Sequence, residues 1–492
     1  MTESLIVFSG NDAQYLAIVW HLAREARRQG ENPVLLDLTP VVAGIGDAYN
    51  RRVLKALGRS SAPTDLTALL TQDGHEVLSA QARGGQRSLP QLAEDGISES
   101  VRSALISYAR DPHPRTSRAI WRNLERHLED TARDSFTSVA AVLEERTSID
   151  TVYVANGRFP HQRAAIDAAL VAGRSVRYYE KGELPDTYWL EDHSTLNRTE
   201  TQSRVDAVLA HLSPVDASAT GLEWMDARSA RGSASNIYSR FFDEEPASEA
   251  RPSSQRVIGL FTSSQDEFAS LGPEWHVQEW VDQWSAFDHA LTHLEPFGYV
   301  FFLRVHPNFI TKSHASFVRE RAQLEKLQRD HPTLRVIWHD QQASSYALME
   351  SSDAVIVWDS TVGLEASGRG IPVWELAASY YDLYADVRTW FAPADDPSAD
   401  EFFYTVDTDR AHRFMAYLVL RDRPLPPEAI TIRDMLAPKP GLPLTIAGIA
   451  GAGGAPTARV ALSSIIDSMR HRRFAINRIA FGRFLARGRA RV

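Results

Sequence analysis

The chain has 492 residues, of which 43% are hydrophobic and 24% are charged, and it contains no cysteine. This length exceeds one ordinary hydrophobic core and predicts two domains with an appendage. The missing cysteines exclude disulfides and thiolate metal sites, and the formal net charge of −10 argues against general nucleic-acid binding. Because no run approaches the ~20 apolar residues of a membrane span and residues 1–10 lack a signal-peptide pattern, we expect a cytoplasmic protein.

In the first half of the chain, apolar strand patterns alternate with amphipathic helix patterns. We predict strands at residues 4–9, 33–38, 151–155 and 175–180, and helices at residues 12–28 and 160–172. This alternation is typical of a parallel sheet covered by helices. The loop after the first strand, SGNDAQ, lacks the three spaced glycines of a dinucleotide fingerprint, so we expect no nicotinamide or flavin site there.

Two loops in this half carry polar residues directly after predicted strands. Asn156 and Arg158 follow the strand at 151–155, and Glu180, Lys181 and Gly182 end the next strand. Open α/β folds bind ligands at this carboxyl edge of the sheet. Glu180 is therefore a candidate general base or charge stabiliser, and the alternative is an ordinary salt-bridged turn.

The second half repeats the pattern after an acidic segment rich in proline and serine at residues 243–255, which we predict to be a linker. We predict strands at 257–262, 299–305, 334–338 and 354–358, and helices at 274–294, 313–329 and from 344 onwards. This order predicts a second doubly wound domain. We expect no metal site, because Asp409 of Asp407-Thr408-Asp409 precedes a helical stretch and is expected to cap it.

The strand at 299–305 leads directly into His306-Pro307. Because proline bars the residue before it from helical geometry, we expect His306 to stay extended at the carboxyl end of the strand, beside Arg304. A histidine and an arginine at this place suit an anionic group, and the alternative is a histidine of the core.

Residues 351–374 predict a strand, a tight loop, a short helix and a further strand. Ser360 and Thr361 place hydroxyl groups where the helix begins, and the unpaired N–H groups there could hold a phosphate. Glu365, one turn further, is expected to point its carboxylate toward the same place. The alternative is that Ser360 and Thr361 only cap the helix.

These motifs together resemble those of bacterial capsule and surface-polysaccharide glycosyltransferases. The likeness is closest to the capsule synthesis proteins related to β-Kdo transferases, and looser to bacterial sialyltransferases and polysialyltransferases. It covers about residues 150–385, and it is carried by His306-Pro307, by DSTVGLEA at 359–366 with Gly370 and Pro372 behind it, by Asn156-Gly157-Arg158 and by Glu180-Lys181-Gly182. Lys181 stands where sialyltransferases tend to have a second carboxylate.

The resemblance implies a GT-B-like fold with two doubly wound Rossmann-type domains facing a cleft. It implies a CMP-activated 2-ulosonic acid such as Kdo or sialic acid as donor, a glycan or glycolipid as acceptor, and no cofactor. The candidate catalytic residues are Glu180 and His306. The candidate residues for the nucleotide and its phosphate are Arg304, His306, Pro307, Ser360, Thr361, Gly363 and Glu365. The candidate residues on the sugar or acceptor side are Asn156, Arg158, Lys181 and Gly182.

We therefore expect an acceptor-side domain at 1–242, the linker at 243–255, a nucleotide-binding domain at 256–440 and an appendage at 441–492. The appendage joins a linker rich in glycine and alanine to a helical tail at 468–492, which has eight arginines and no acidic residue. Wound as a helix, this tail has the pattern of a basic amphipathic anchor for an anionic membrane surface. The alternative is that it docks on an acidic face of the protein.

Two other classes of function fit the same residues. A polyol-phosphate transferase of the teichoic-acid type, using a CDP-polyol, would also need a histidine and hydroxyl groups at a phosphate. A nucleotide-sugar-binding assembly protein without catalytic activity would keep the phosphate site and tolerate the loss of Glu180.

Overall fold

The computed structural model describes residues 3–9, 12–42, 66–81, 88–114, 119–184, 186–194, 197–229, 255–307, 309, 312, 314–341 and 343–436. Most of the predicted linker (243–254) and the whole appendage at 441–492 with its basic tail lie outside the described residues. The described residues build two α/β domains, each organised around one sheet.

The first sheet has seven strands in the order β13-β6-β5-β4-β1-β2-β3. Its strands are β1 (Glu3–Phe8), β2 (Asn32–Asp37), β3 (Glu76–Ser79), β4 (Ile149–Ala155), β5 (Ser175–Lys181), β6 (Thr187–Glu191) and β13 (Arg423–Pro424). The five strands from β5 to β3 in this order are parallel, while β6 and β13 pair antiparallel at one edge. The buried apolar runs of β1 and β2 are what a sheet covered on both faces requires.

Helices cover both faces of the first sheet. These helices are α1 (Ala13–Arg28), α2 (Thr39–Val42), α3 (Leu66–Gln72), α4 (Gln91–Ala109), α5 (Ala119–Glu145) and α6 (Pro160–Val171). One face packs against the apolar sides of α4, α5 and α6, and the other packs against α1 and α3. The domain is therefore doubly wound, as the alternating pattern predicts.

The second sheet has six parallel strands in the order β12-β11-β10-β7-β8-β9. These strands are β7 (Val257–Phe261), β8 (Val300–Arg304), β9 (Leu334–Ile337), β10 (Ala354–Val357), β11 (Val373–Glu375) and β12 (Arg388–Thr389). Its central strands β7 and β10 are buried along their whole length. A second doubly wound domain is thus present, and its carboxyl edge brings the loops after β8, β7 and β10 side by side.

The remaining helices surround the second sheet or cross to the first. They are α7 (Arg198–Leu209), α8 (Pro214–Ser229), α9 (Gln265–Ala269), α10 (Gln283–Leu294), α11 (His314–Asp330), α12 (Ser345–Ser351), α13 (Thr361–Gly368), α14 (Ala399–Phe402), α15 (Thr408–Leu420) and α16 (Pro427–Leu436). Among the described helices, none is long and apolar enough to cross a membrane.

Two segments pack outside the domain in which their place in the chain predicts them. Helices α7 and α8 precede the linker, but Val205, Leu209, Trp224 and Met225 join one apolar cluster with α15 of the second domain. Helix α16 follows the second domain, but it packs against α1 of the first. Burial of apolar surface holds each segment against the other domain. A division of the chain by sequence position alone does not detect that these segments cross between the domains.

Two helix starts differ from those predicted. The helix predicted at 274–294 begins only at Gln283, where the Asp282 side chain accepts a hydrogen bond from Ser285 N at 2.8 Å. The residues before Gln283 do not continue the helix but contact the loop near Trp390, since Trp280 Nε1 donates to the Trp390 carbonyl at 2.9 Å. At the start of α15 the capping residue is Asp407 and not Asp409 as predicted, since Asp407 accepts from Asp409 N.

Candidate functional site

The carboxyl edge of the first sheet holds Glu180 at the end of β5. Its carboxylate accepts hydrogen bonds from the Tyr15 hydroxyl, from Asn156 Nδ2 and from Lys181 N. Asn156 has a left-handed backbone (φ 48°), which its side chain stabilises by accepting from Arg158 N at 3.2 Å. The structure therefore places two of the predicted residues, Asn156 and Arg158, next to the predicted carboxylate of Glu180.

Tyr15 on α1 is a partner of Glu180 that the sequence patterns did not indicate. Burial and the neighbouring Glu180 raise the pKa of the Tyr15 hydroxyl, so it stays protonated and donates its hydrogen bond. The Tyr15 hydroxyl and Asn156 Nδ2 hold the carboxylate of Glu180 in one orientation. A positioned carboxylate of this kind can stabilise developing positive charge or accept a proton.

Lys181 and Gly182 belong to the packing of the first domain. Lys181 Nζ lies 2.6 Å from Asp12 Oδ2 and 4.7 Å from the centre of the Tyr15 ring. A Cβ atom at Gly182 would overlap Thr187 and Asp422, so glycine is required for the close approach of these segments. Within the motif Glu180-Lys181-Gly182, Glu180 is thus the residue whose side chain lies beside Asn156 and Arg158.

The carboxyl edge of the second sheet holds His306 at the end of β8. His306 N donates to Thr262 Oγ1 at 2.8 Å, which joins the loops after β8 and β7. Burial, with Lys312 and Arg110 nearby, lowers the pKa of His306 to about 4. The imidazole is therefore neutral at pH 7. Pro307 follows it, half-buried, as expected for the start of a loop.

A buried ionic cluster holds the loops beside His306. Lys312 Nζ lies 3.0 Å from Asp266 Oδ1 and 3.0 Å from Glu320 Oε1, and all three side chains are almost fully buried. Arg110 of the first domain reaches the same Asp266 at 3.3 Å. Removing one member of such a cluster leaves an uncompensated buried charge, so these ion pairs fix the place of the loops.

Arg304 lies deeper than predicted. Its side chain is 2% exposed, and Nη1 donates to the Trp338 carbonyl at 2.6 Å. Burial lowers the pKa of its guanidinium to about 10. Arg304 therefore contributes positive charge beneath the loops and is engaged with the end of β9, while His306 lies nearer to the surface.

Ser360 is the N-cap of α13, as the capping alternative predicts. Its Oγ accepts from Val362 N at 3.4 Å, and its carbonyl accepts from the Tyr381 hydroxyl at 2.5 Å. Thr361 is exposed at the first position of the helix. A Cβ at Gly363 would overlap the Tyr381 hydroxyl, so glycine is needed for this packing.

Glu365 does not point its carboxylate toward open solvent. It is 3% exposed, and its Oε1 lies 3.2 Å from Arg228 Nε and 3.2 Å from the Tyr346 hydroxyl. Burial raises the pKa of Glu365, and Arg228 opposes this shift. Arg228 belongs to α8, a helix that precedes the linker, so nothing in the local pattern around Glu365 indicates this partner.

Asp359 is a further candidate site residue. It belongs to the DSTVGLEA motif at 359–366, but the sequence patterns assign it no function. It follows β10 with a left-handed backbone (φ 41°), a rare conformation for a residue other than glycine. Burial and the neighbouring carboxylates of Asp382 and Glu267 raise the pKa of Asp359 well above its ordinary value, and Arg198 opposes the shift. A strained, half-buried carboxyl group at the edge of a sheet is a candidate functional group. The signal in the sequence was its position directly before Ser360.

Arg158 connects the two carboxyl edges. Its Nη1 donates to Ser270 Oγ in the second domain at 2.6 Å. Burial lowers the pKa of Arg158, while the carboxylates of Glu267 and Glu180 oppose this shift. The contact between Arg158 and Ser270 brings the carboxyl edges of the two sheets next to each other. Among the described residues, no group of three or more histidine or acidic side chains is arranged to hold a metal ion.

Comparisons with known proteins add likenesses at the level of three-dimensional structure. No protein-family model matches the chain, and no curated protein sequence matches it. Among solved structures, it is similar to the β-Kdo 2,4 transferase KpsC of Thermosulfurimonas dismutans, with 13% identity over 55% of this chain and 79% of that chain and a TM-score of 0.35. The chain has a GT-B-like fold. This assignment rests on the two doubly wound domains and their shared cleft.

Two further similar structures span most of the chain. The UDP-GlcNAc 2-epimerase of Neisseria meningitidis bound to UDP-GlcNAc is 12% identical over 94% of this chain and 99% of that one, with a TM-score of 0.26. MurG of Acinetobacter baumannii is 10% identical over 94% of this chain and 99% of that one, with a TM-score of 0.26.

Proposed function

We propose that this protein is a glycosyltransferase that binds a nucleotide-activated sugar in the cleft between its two domains. The observation that carries the proposal is the hydrogen bond from Arg158 of the first domain to Ser270 of the second, which joins the carboxyl edges of the two sheets. The proposal assigns Glu180 to one wall of the cleft and the loops of His306 and Ser360 to the other. Ligands of open α/β sheets bind at such edges.

The charges on the two walls suit the transfer of a glycosyl group. As the bond between the sugar and the phosphate breaks, positive charge develops on the sugar and negative charge on the departing phosphate. Glu180 is proposed to stabilise the sugar side. His306, Thr361 and the N–H groups at the start of α13 are proposed to bind the phosphate, with Arg304 supplying positive charge from below.

The donor is proposed to be a CMP-activated 2-ulosonic acid such as Kdo or sialic acid, and the acceptor a glycan or glycolipid of a surface polysaccharide. This finer assignment is supported by the motifs around His306-Pro307, Ser360-Thr361 and Glu180, which resemble those of capsule glycosyltransferases. Glu365 is proposed to lie near the ribose or base, which requires Arg228 to move aside or to share the contact. The mechanism is proposed to need no metal ion.

The test is to incubate the full chain with CMP-Kdo, CMP-sialic acid and CDP-glycerol, each with EDTA and a mixture of oligosaccharide and glycolipid acceptors, and to measure the CMP released as the transferred group passes to an acceptor hydroxyl or to water. The proposal predicts release from a sugar donor that is lost in Glu180→Gln. Release from CDP-glycerol alone would favour the polyol-phosphate transferase. Binding of a nucleotide sugar without any turnover, unchanged in Glu180→Gln, would favour the assembly protein.

A further inference from the structure

A cavity of about 210 Å³ lies between the end of the first sheet, α7, the loop after β11 and α15. It is distinct from the His306 loop, and it approaches the cleft at Asp382 and Arg198, which both influence the neighbouring Asp359. Its volume is below the roughly 300 Å³ at which pockets for drug-sized ligands begin, so it suits a single ring rather than a chain of rings.

Several residues that line this cavity carry a buried polar atom without a partner. Among the described residues, Arg198 Nε, Asp382 Oδ1 and the Tyr384 hydroxyl are buried and have no hydrogen bond. The Asp382 side chain is 3% exposed, and its other oxygen is already bound by Arg198. Buried polar atoms in folded proteins are nearly always paired, so a donor, an acceptor and a hydroxyl left open in one cavity indicate a polar ligand.

The rest of the lining is aromatic. Five aromatic residues from three separate segments of the chain line the cavity, namely Trp275, Tyr380, Tyr384, Phe414 and Tyr417. Tyr384 is held in place by stacking on Phe414, with 4.7 Å between ring centres and 2° between ring planes. Aromatic surface beside hydrogen-bonding groups suits a ligand that has both C–H faces and hydroxyl groups.

The charges around the cavity are already matched. Arg198 is paired with Asp382, and Arg421 lies 3.5 Å from Glu183. Burial lowers the pKa of His193, which keeps its imidazole neutral at pH 7. With each guanidinium beside a carboxylate, the cavity offers no excess positive charge to an acidic sugar.

We infer that this cavity binds one neutral sugar ring, with Tyr384, Asp382 and Arg198 reading its hydroxyl groups and the aromatic residues covering its C–H face. The assignment of this ring to the acceptor rests on the proposed function, because a 2-ulosonic acid donor is itself acidic. The cavity then places a neutral unit of the acceptor beside Asp359 at the cleft.

The test uses saturation-transfer NMR on the full chain with about 10 mM of methyl glucoside, methyl galactoside, N-acetylglucosamine and, as the acidic sugar, N-acetylneuraminic acid. We expect at least one neutral ring to receive saturation, and its affinity to fall about tenfold in Tyr384→Phe and in Asp382→Asn. Tyr404→Phe is the matched control, because Tyr404 bonds to the backbone of Val373 and does not line the cavity. Its binding should equal that of the unchanged protein.

Three results would overturn the inference: no neutral ring binds, N-acetylneuraminic acid binds better than every neutral ring, or both cavity variants bind as the control does. Melting temperatures of all variants show that each is folded. The inference and the proposed function fail separately. If a neutral ring binds at Tyr384 but no donor is turned over, the glycosyltransferase proposal fails and the cavity remains a sugar site. If a donor is turned over but the cavity variants bind every ring normally, only the inference fails.

Discussion

Arg158 of the first domain donates a hydrogen bond to Ser270 of the second, with 2.6 Å between Nη1 and Oγ. The guanidinium also lies 5.0 Å from the centre of the Phe159 ring, which supports it from its own domain. Glu180 of the first domain and Glu267 of the second both act electrostatically on this guanidinium, so one side chain links the two walls to which we assign the sugar and the nucleotide.

The contact predicts that Arg158→Ala loses turnover by about tenfold to a hundredfold, because the two walls are no longer held in register. CMP affinity should stay nearly unchanged, since the proposed nucleotide residues lie on the second domain. Steady-state kinetics and calorimetric titration of CMP measure the two quantities. Arg174→Ala is the control, because Arg174 pairs with Asp150 away from the cleft. Equal turnover in the two variants would contradict this role for Arg158.

Glu180→Gln should keep the fold and CMP binding but lose turnover by about a hundredfold or more. Glutamine preserves the shape that Tyr15 and Asn156 surround, while it removes the negative charge that stabilises the sugar. The release of CMP from a sugar donor checks this directly. Glu99→Gln, an exposed carboxylate of the same domain, serves as the control. Normal turnover in Glu180→Gln would return Glu180 to the alternative of a turn residue.

The central stretch at 351–374 could be predicted well from the sequence. Strand β10 is marked by its β-branched apolar run, and Ser360 begins α13 because its side chain caps the helix. The positions of Asn156, Glu180 and His306 at strand ends follow from the same alternation of strands and helices. Such features depend on neighbours in the chain, so local patterns are enough to find them.

The partners of these residues could not be predicted in the same way. Glu365 is bound by Arg228 and Glu180 by Tyr15, and each pair is joined by tertiary packing over more than a hundred residues of chain. The left-handed backbone of Asp359 likewise depends on what surrounds it. Residues 276–282 do not extend the helix of α10, because Glu279 and Trp280 bond to the backbone around Trp390 instead.

The low pKa of His306 predicts a loss of stability in mild acid. Its pKa is about 4 in the folded chain and about 6.5 when unfolded, so between these values the unfolded chain binds a proton that the folded chain does not. The contribution of His306 is therefore fully present above about pH 6.5 and is lost progressively as the pH falls toward 4. His75, His161 and His339, also with pKa values of about 4, act in the same direction.

Urea unfolding at about pH 7 and pH 5.5 measures this effect. His306→Gln should lose less free energy of unfolding between the two conditions than the unchanged protein does. His289→Gln is the control, since His289 lies on α10, away from the His306 loop, where it pairs with Asp396. An identical loss in His306→Gln and in the unchanged protein would contradict the low pKa of this imidazole.

The basic segment at 468–492, outside the described residues, is proposed to hold the protein on an anionic membrane surface. Each arginine near such a surface contributes about 1 kcal/mol, and the segment has eight. The full chain should float with anionic liposomes at low salt and much less at high salt, while a chain ending at Asp467 should stay behind. If the two chains float equally, or if the full chain does not float at all, the result would favour docking of the basic segment on an acidic face of the protein.

The central claim is that a nucleotide binds at the carboxyl edge of the second sheet, around His306 and the start of α13. Calorimetric titration of CMP, CDP, UDP and GDP into the unchanged protein, His306→Ala and the control His289→Ala tests it most directly. The account predicts that a cytidine nucleotide binds, and that His306→Ala weakens it by about 1–3 kcal/mol, the cost of a lost contact to a charged group, while His289→Ala does not. An unchanged affinity in His306→Ala, or no binding of any nucleotide to the unchanged protein, would contradict it.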